Sequence, residues 1–236
     1  MEARLDTAPG TAPFQHRRKA DLVHDFLREQ IVNGAFAPGQ RLTLAELSQQ
    51  CGLSHMPVRE ALVRLQREGL IDGEPHKGMR VAQLSLKDAR ELFAIRTELE
   101  GLAAGAACAS GDTALVADLE RFNDAFSAAF TASDYSAMGT ANRSFHRRIL
   151  QSAGSAQLNR VLEDIWTASL RYRLGYKLIP GRAQCTIEEH ARLIAAIRAG
   201  DPALARAAAR DHVDRAGSEL AAVLAGATET PWPANG

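Results

Sequence analysis

The feature that most constrains the fold of this chain is a pair of short helices joined by a tight turn. The first helix is predicted to end at Gly52, and the second begins at an N-cap serine, Ser54. Pro57 falls in the first turn, where its missing N–H is harmless. The second helix carries one apolar stripe made of Val58, Ala61, Leu62 and Leu65. Arg59 must therefore point outward, and such a helix has the shape that enters a DNA major groove.

Two further elements are predicted on the N-terminal side of this pair. An amphipathic helix that ends at Gly34 carries apolar residues at helical spacing, namely Leu22, Val23, Phe26, Leu27 and Ile31. Thr43, with Glu46 three residues later, forms a capping box that starts the first helix of the pair.

On the C-terminal side, the sequence predicts a β-hairpin. Two short extended segments, 70–73 and 79–83, flank a turn sequence of proline, histidine, lysine and glycine. Three helices followed by a hairpin predict a winged helix-turn-helix domain over residues 14–83. The residues before it, 1–13, have the composition of a flexible tail.

The second part of the chain is predicted to be all-helical. From residue 84 onward alanine is frequent, strand patterns are absent and helix-start signals recur. These signals lie at Ser85, Gly111, Ser133, Gly154, Thr186 and Asp201. The chain is therefore predicted to be mainly α, with the winged domain followed by an all-α bundle of about six helices over residues 84–225. A second flexible tail is expected at residues 226–236.

Composition restricts the partners and the compartment. The 28 basic and 28 acidic residues cancel, so contact with nucleic acid requires a local patch. The three cysteines, Cys51, Cys108 and Cys185, are odd in number and lack metal-type spacing. The sequence contains neither a signal-peptide pattern nor an apolar run that could span a bilayer. A cytoplasmic protein with no membrane partner is expected.

Several motifs resemble a known family of bacterial transcription regulators. In the winged domain these are Pro38-Gly39-Gln40-Arg41-Leu42, Gly52-Leu53-Ser54, Pro57-Val58-Arg59-Glu60-Ala61-Leu62 and Glu68-Gly69-Leu70-Ile71. In the helical part they are Arg96 with Glu100, Phe145-His146, Glu189-His190, Gly200-Asp201 and His212. The first set resembles the GntR family, and the second resembles its FadR-like (FCD) subfamily. The resemblance covers roughly residues 20–224.

The resemblance implies roles in DNA binding for specific residues. Arg59 would read a guanine through two hydrogen bonds, while Arg41 and Ser54 would contact phosphates. Lys77 and Gly78 would approach the minor groove or its backbone from the tip of the wing. His55 stands where the family commonly has arginine, so this position is expected to change the operator or weaken its binding. The alternative for Arg59 is that it belongs to a solvated helix face.

Four polar residues fall on predicted inward faces of the bundle: Asn142, His146, His190 and His212. Asn142 and His146 are four residues apart and share one helix face. Converging imidazoles can be satisfied by a shared divalent ion, and three of them favour Zn²⁺ or Ni²⁺ over Mg²⁺ or Ca²⁺. The alternative is that each histidine is a hydrogen-bonded core residue. The family commonly has aspartate at the position of Asn142, so this chain keeps a carbonyl ligand but loses a charge.

Two more residues are candidates for ligand binding. Arg96 lies on an inward stripe and is expected either to hold a ligand carboxylate or to pair with Glu100. Thr186 lies one turn before His190 and is expected either to add a hydroxyl to the pocket or to cap a helix. Trp166, Tyr172 and Arg173 are predicted to line the cavity or its rim.

Three functions are compatible with these residues. The first is a homodimeric regulator, expected to be a repressor, that binds a palindromic double-stranded operator and responds to a small carboxylic or sugar acid held near the metal. The second is a metal-dependent hydrolase, but no carboxylate near the histidines has an evident general-base role. The third is a direct sensor of the metal ion. The first is favoured because a winged domain would be idle in an enzyme.

Overall fold

A computed structural model describes residues 18–74, 78–174 and 179–227. The N-terminal domain begins with α1 (Lys19–Val32), followed by the predicted pair α2 (Leu44–Cys51) and α3 (His55–Arg67). The Thr43 Oγ1 accepts a hydrogen bond of 3.3 Å from the Glu46 N–H, which confirms Thr43 as the N-cap. The Glu46 carboxylate accepts from the Thr43 hydroxyl at 2.6 Å, so the second bond of the predicted capping box, to the Thr43 N–H, is not formed. Gly52 ends α2 with a φ of 63°, a left-handed conformation that glycine adopts without steric strain.

A three-stranded antiparallel sheet forms the wing. The predicted hairpin consists of β2 (Ile71–Glu74) and β3 (Gly78–Val81). A third strand, β1 (Arg41–Leu42), pairs with β3 on its other side and gives the order β1-β3-β2. The sequence did not predict β1, because two residues are too few for a periodic pattern. The tip of the hairpin, residues 75–77, lies outside the described residues, as do both predicted tails up to residue 17 and from residue 228.

The apolar stripe of α3 forms the centre of the N-terminal core. Its four predicted residues are all buried, and they pack against α1 and the sheet. On α1 the prediction was too broad, since Leu22 is 50% exposed and Phe26 is 37% exposed. Of the five predicted apolar residues, only Val23, Leu27 and Ile31 face the core, because a helix packs against its neighbour along a narrow stripe.

The second domain contains the six predicted helices. They are α4 (Leu86–Ala109), α5 (Leu115–Thr131), α6 (Tyr135–Ser152), α7 (Ala156–Ala168), α8 (Arg182–Arg198) and α9 (Pro202–Ala227). Between α7 and α8 lies an unpredicted 3-10 helix, Ser169–Leu174. Within the described ranges, no helix is both long and apolar enough to cross a membrane.

One predicted helix start is wrong. Thr186 does not cap α8, which begins four residues earlier, after Gly181. The Thr186 hydroxyl instead donates to the carbonyl oxygen of Arg182 at 3.0 Å, inside the helix. A threonine with glutamate three residues later also occurs within helices, so the capping-box pattern alone could not locate this start. The predicted start at Gly111 is early, since α5 begins at Leu115.

Helices α4 and α9 form the central antiparallel pair of the bundle. Their backbones approach closely at glycines: a Cβ atom at Gly217 would lie 2.6 Å from the Cβ of Phe93, and one at Gly105 would lie 3.2 Å from the Pro202 carbonyl oxygen. This close approach holds Arg96 and Glu100 of α4 near His212 of α9.

Candidate ligand-binding and DNA-binding sites

Three histidines from three helices converge in the core of the bundle. His146 of α6, His190 of α8 and His212 of α9 are all buried, and one ring nitrogen from each lies within 4.8 Å of the other two. The Nε2 atoms of His146 and His212 are 3.3 Å apart. The structure thus brings together the three imidazoles that the sequence singled out.

Each imidazole is oriented by an oxygen atom at its Nδ1 side. The distances are 2.8 Å from His146 to Glu100 Oε2, 3.1 Å from His190 to Asn123 Oδ1 and 2.7 Å from His212 to Glu189 Oε2. An acceptor at Nδ1 fixes that nitrogen as the protonated one and leaves Nε2 with a free lone pair. The Nε2 atoms are therefore the ring nitrogens that a shared cation would use. Those of His146 and His212 are within hydrogen-bond distance of each other, so a cation would displace the proton between them.

Arginines keep the two supporting carboxylates ionised. Burial raises the pKa of Glu100, but Arg96 and His146 outweigh that effect and hold the pKa well below its usual range. Burial also raises the pKa of Glu189, but the hydrogen bonds of this carboxylate with His212 and Arg182 outweigh that effect and lower the pKa to about 2. Ionised carboxylates are stronger acceptors, so they hold the imidazoles more firmly.

Burial also keeps two of the imidazoles neutral. It lowers the pKa of His190 well below its usual value, and the neighbouring His212 adds to this. It lowers the pKa of His212 to about 4, although the hydrogen bond to Glu189 acts in the opposite direction. A neutral imidazole has the lone pair that a metal ligand requires.

Three buried polar atoms at the cluster have no hydrogen-bond partner among the described residues: His190 Nε2, Asn142 Oδ1 and Glu100 Oε2. The 2.8 Å approach of Glu100 Oε2 to His146 Nδ1 is an ion-pair contact without hydrogen-bond geometry. A buried polar atom without a partner is energetically unfavourable, and a bound cation would satisfy His190 Nε2 and Asn142 Oδ1. Three imidazole nitrogens and one carbonyl oxygen form a donor set that fits a divalent ion of the zinc or nickel type.

A cavity adjoins the cluster and reaches the domain junction. Its wall includes His146, His212, Asn142 and Arg96, and it also includes Trp166 and Tyr172 as predicted. Arg96 faces the cavity and pairs with Glu100 at 2.8 Å. The expected ion pair is therefore present, and a contact with a ligand carboxylate stays a prediction. The side chain of Arg173 lies outside the described residues.

Thr186 does not fulfil either expectation. It is not the N-cap of α8, and its buried hydroxyl is hydrogen-bonded to Arg182. It is not among the residues that line the cavity described above. The hydroxyl serves instead to hold the guanidinium of Arg182, which does face the cavity.

The DNA-binding candidates lie on the surface of the winged domain. Ser54, His55 and Arg41 are exposed, and Gly78 begins β3 next to the wing tip. Lys77 lies outside the described residues. Ser54 occupies the N-cap of α3, but its hydroxyl makes no capping hydrogen bond to the helix, so it is available to a phosphate.

Arg59 is partly exposed in the first half of α3. In the described part of the chain it forms no ion pair, and its Nε has no hydrogen-bond partner. The buried stripe that contains Val58 and Leu62 is centred about 100° around the helix from Arg59. The orientation of Arg59 is therefore the one predicted from the apolar stripe, with the guanidinium uncommitted to any acid of the winged domain.

The sequence analysis missed three residues that the structure places at these sites. Arg80 of β3 lies directly opposite Arg41 of β1, so two exposed arginines stand side by side on the wing. Asn123 and Arg182 support the histidine cluster from α5 and α8. No local sequence pattern identifies them, because each meets its partner only through tertiary packing or strand pairing.

The winged domain presents Arg59, which has no ion-pair partner among the described residues, and it is joined to a helical domain that contains a cavity. This arrangement defines the class of transcription regulators with separate DNA-binding and helical domains. Comparison with known proteins identifies the family. The model for "Bacterial regulatory proteins, gntR family" matches residues 19–81, and the model for the FCD domain matches residues 91–215. The chain belongs to the GntR family and carries an FCD domain as its helical part.

Individual relatives agree with this assignment. A probable D-xylose utilization operon transcriptional repressor of Paenarthrobacter nicotinovorans is 31% identical over 202 residues, covering 82% of this chain and 85% of that protein. The transcriptional regulator McbR of Escherichia coli K12 is 29% identical over 196 residues, covering 82% and 88%. The solved structure of E. coli McbR/YncC superposes with a TM-score of 0.69 at 27% identity, covering 86% of this chain and 97% of that one. This chain is therefore a transcription regulator and not an enzyme.

Proposed function

We propose that this regulator is a repressor whose DNA binding is controlled by a small organic acid bound beside a divalent metal ion. Three histidine Nε2 atoms and the Asn142 carbonyl oxygen would hold the ion. The bound ion would supply a Lewis-acidic site for a carboxylate. The chain's own residues orient the imidazoles, keep two of them neutral and close the cavity around the acid.

One observation carries the proposal: the cavity and the winged domain share a residue. Leu170 of the 3-10 helix lines the cavity, yet it is only 4% exposed and packs in the core formed by α1, α3 and the sheet. Any ligand that moves the 3-10 helix must disturb the packing of the winged domain. A difference in this contact between bound and free states is what an effector needs to shift DNA affinity.

A second contact ties the same segment to the start of α4. The Tyr172 hydroxyl donates to Asp88 Oδ2 at 2.7 Å and lies 3.2 Å from the carbonyl oxygen of Ser85. Ser85 is the N-cap of α4 and directly follows the winged domain. The 3-10 helix therefore contacts both the winged domain and the connection between the two domains.

The test combines elemental analysis with ligand stabilisation. The purified protein is expected to hold about one zinc or nickel ion per chain. A binding acid at a hundredfold excess over its Kd should raise the unfolding free energy by about 2.7 kcal/mol, and chelation should remove that gain. Operator affinity should fall when the acid is added. If chelation alone changes operator affinity and no acid does, the protein senses the metal itself and the proposal is wrong.

Replacing Leu170 with alanine is expected to weaken the connection between the domains. The truncation leaves a void in a well-packed core, which should lower the unfolding free energy by about 2–5 kcal/mol in urea titrations. The change in operator affinity caused by the acid should also shrink. Leu204→Ala, at a leucine that is 52% exposed, is the matched control and should change stability by less than about 0.5 kcal/mol. An unchanged acid response in Leu170→Ala would contradict the proposed route.

The Tyr172 contact predicts a specific pH dependence. Burial, followed by the hydrogen bond to Asp88, raises the pKa of Tyr172 to about 12, above the usual value near 10. The Tyr172 phenol ionises at a lower pH in the unfolded chain than in the folded chain. The stability that Tyr172 contributes is therefore complete below pH 10 and is lost as the pH rises through 12. The loss amounts to about 3 kcal/mol. Tyr172→Phe should remove this decline in unfolding free energy, whereas Tyr135→Phe, at an exposed tyrosine, should not.

The operator is proposed to be palindromic, with a second copy of this chain as the partner. Ile95 and Leu102 are each 47% exposed and lie seven residues apart, on one face of α4. This apolar face supports association through the helical domain. A twofold dimer would place the two copies of α3 about 34 Å apart, one turn of DNA. Light scattering in solution, together with the spacing of half-sites selected from random DNA, tests both statements.

A further inference from the structure

The cavity beside the histidines has two chemically different ends. His146, His212 and Asn142 form the polar end. Leu220 lies two turns beyond His212 along α9, about 12 Å away. It belongs to an apolar cluster that also supplies other cavity walls, namely Phe93, Ile179, Val213 and Ala216. The cavity thus runs from the metal-type site toward an apolar end near the start of α4.

The arginines of the cavity wall are already neutralised. Arg96 pairs with Glu100 at 2.8 Å, and Arg143 pairs with Glu163 at 2.9 Å. Arg182 pairs with Glu189 and, at 3.1 Å, with Glu219. Each of the three arginines in the cavity wall therefore has at least one carboxylate partner. A ligand charge is therefore compensated only at the histidine end.

The hydroxyls of the wall are also engaged. Ser169 donates to the carbonyl oxygen of Ile165 at 2.8 Å, and Tyr172 donates to Asp88. These two hydroxyls can accept from a ligand but cannot donate to it, so a ligand with several hydroxyls at the apolar end would leave some of them without a partner. Such an unpaired buried group opposes binding, as would a second carboxylate at that end.

The geometry points to a monocarboxylate with a compact hydrocarbon body, aromatic or branched, as the effector of this regulator. This inference rests on the proposed function and specifies its ligand class. The carboxylate would lie at the histidine end, and the body would pack against Phe93, Ala216 and Leu220. It excludes the sugar acids that the sequence analysis left open, since their hydroxyls would face this apolar wall.

The size of the cavity limits the body of the ligand. The room for the centres of water molecules amounts to about 100 Å³. This is several times the minimum of about 10–15 Å³ that one water needs. The cavity therefore has room for a small molecule, such as a single ring or a short branched chain with one carboxylate.

Three acids with equal numbers of non-hydrogen atoms separate the alternatives. Benzoate has one carboxylate and an apolar ring, glutarate has two carboxylates, and threonate is a sugar acid. Isothermal titration of the metal-loaded dimer is expected to give a Kd for benzoate at least about tenfold lower than the Kd for either of the other two acids. Only benzoate buries apolar surface without leaving a polar group unpaired at the apolar end.

A pair of variants locates the binding site. Ala216→Leu fills the apolar end and should weaken benzoate binding by at least about tenfold while the metal content stays unchanged. Ala222→Leu adds the same side chain at an exposed position of the same helix and should leave benzoate binding unchanged. Equal benzoate affinity in both variants would overturn the placement of the ligand body.

The outcomes distinguish this inference from the proposed function. If the protein binds metal but binds threonate or glutarate more tightly than benzoate, or does not bind benzoate, the inference is overturned. The proposed metal site is still supported in that case. A protein without metal that still binds benzoate would support the apolar end and contradict the metal. Neither metal nor acid binding would overturn both.

Discussion

Replacing Arg59 with alanine is expected to reduce the affinity for the operator to nearly that for unrelated DNA. A bidentate contact between an arginine and a guanine contributes about 1–3 kcal/mol of discrimination, or about 2–6 kcal/mol over two half-sites. Arg59 is available for this contact because it forms no ion pair within the part of the chain that the structure describes. The fold should persist, since the buried stripe of α3 is unchanged. Fluorescence anisotropy on DNA selected from a random pool provides the measurement.

Arg67→Ala is the matched control for this experiment. Arg67 is exposed in the last turn of α3, whereas recognition helices read bases with their N-terminal residues. Its loss should weaken binding to all sequences alike, through a phosphate contact at most. Full operator affinity in Arg59→Ala would show that α3 does not read DNA in the proposed orientation.

Replacing His146, His190 or His212 with alanine is expected to remove the metal and to reduce the change in operator affinity that the acid causes, while DNA binding is retained. Each variant leaves two imidazole ligands where the site needs three. Metal affinity should fall by well over about 100-fold, because changes to supporting residues alone typically lower it by 10–100-fold. Elemental analysis after dialysis against a weak chelator measures this loss. Stoichiometric metal in all three variants would contradict the site.

A supporting residue gives this test a graded control. Asn123→Ala removes the oxygen that orients His190 but leaves all three imidazoles in place. Its metal affinity should fall by about 10–100-fold, less than in the histidine variants. Cys108→Ser, which removes a thiol outside the cluster, should leave the metal content unchanged. A purely structural histidine cluster would not produce this order of metal affinities.

Much of the fold followed from local patterns in the chain. The α3 stripe, the N-cap at Thr43 and the hairpin on both sides of its turn each depend on residues close in sequence. Such signals survive folding because tertiary packing reinforces them. The strand β1 and the true start of α8 were not found. The strand β1 has two residues that pair with a distant strand, and Thr186 lies inside α8. Neither feature leaves a distinctive local pattern in the sequence.

The sequence by itself determined on which helix faces the candidate side chains lie: the outward Arg59, the three inward histidines and Asn142. Helical periodicity suffices for this, because it fixes the face on which each residue lies. Only the tertiary structure decided what these residues meet. The contacts of His146 with Glu100, His190 with Asn123, and Leu170 with the winged-domain core join residues far apart in the chain. Such pairings depend on how helices pack, so ligand orientation and the connection between the domains are properties of the folded chain alone.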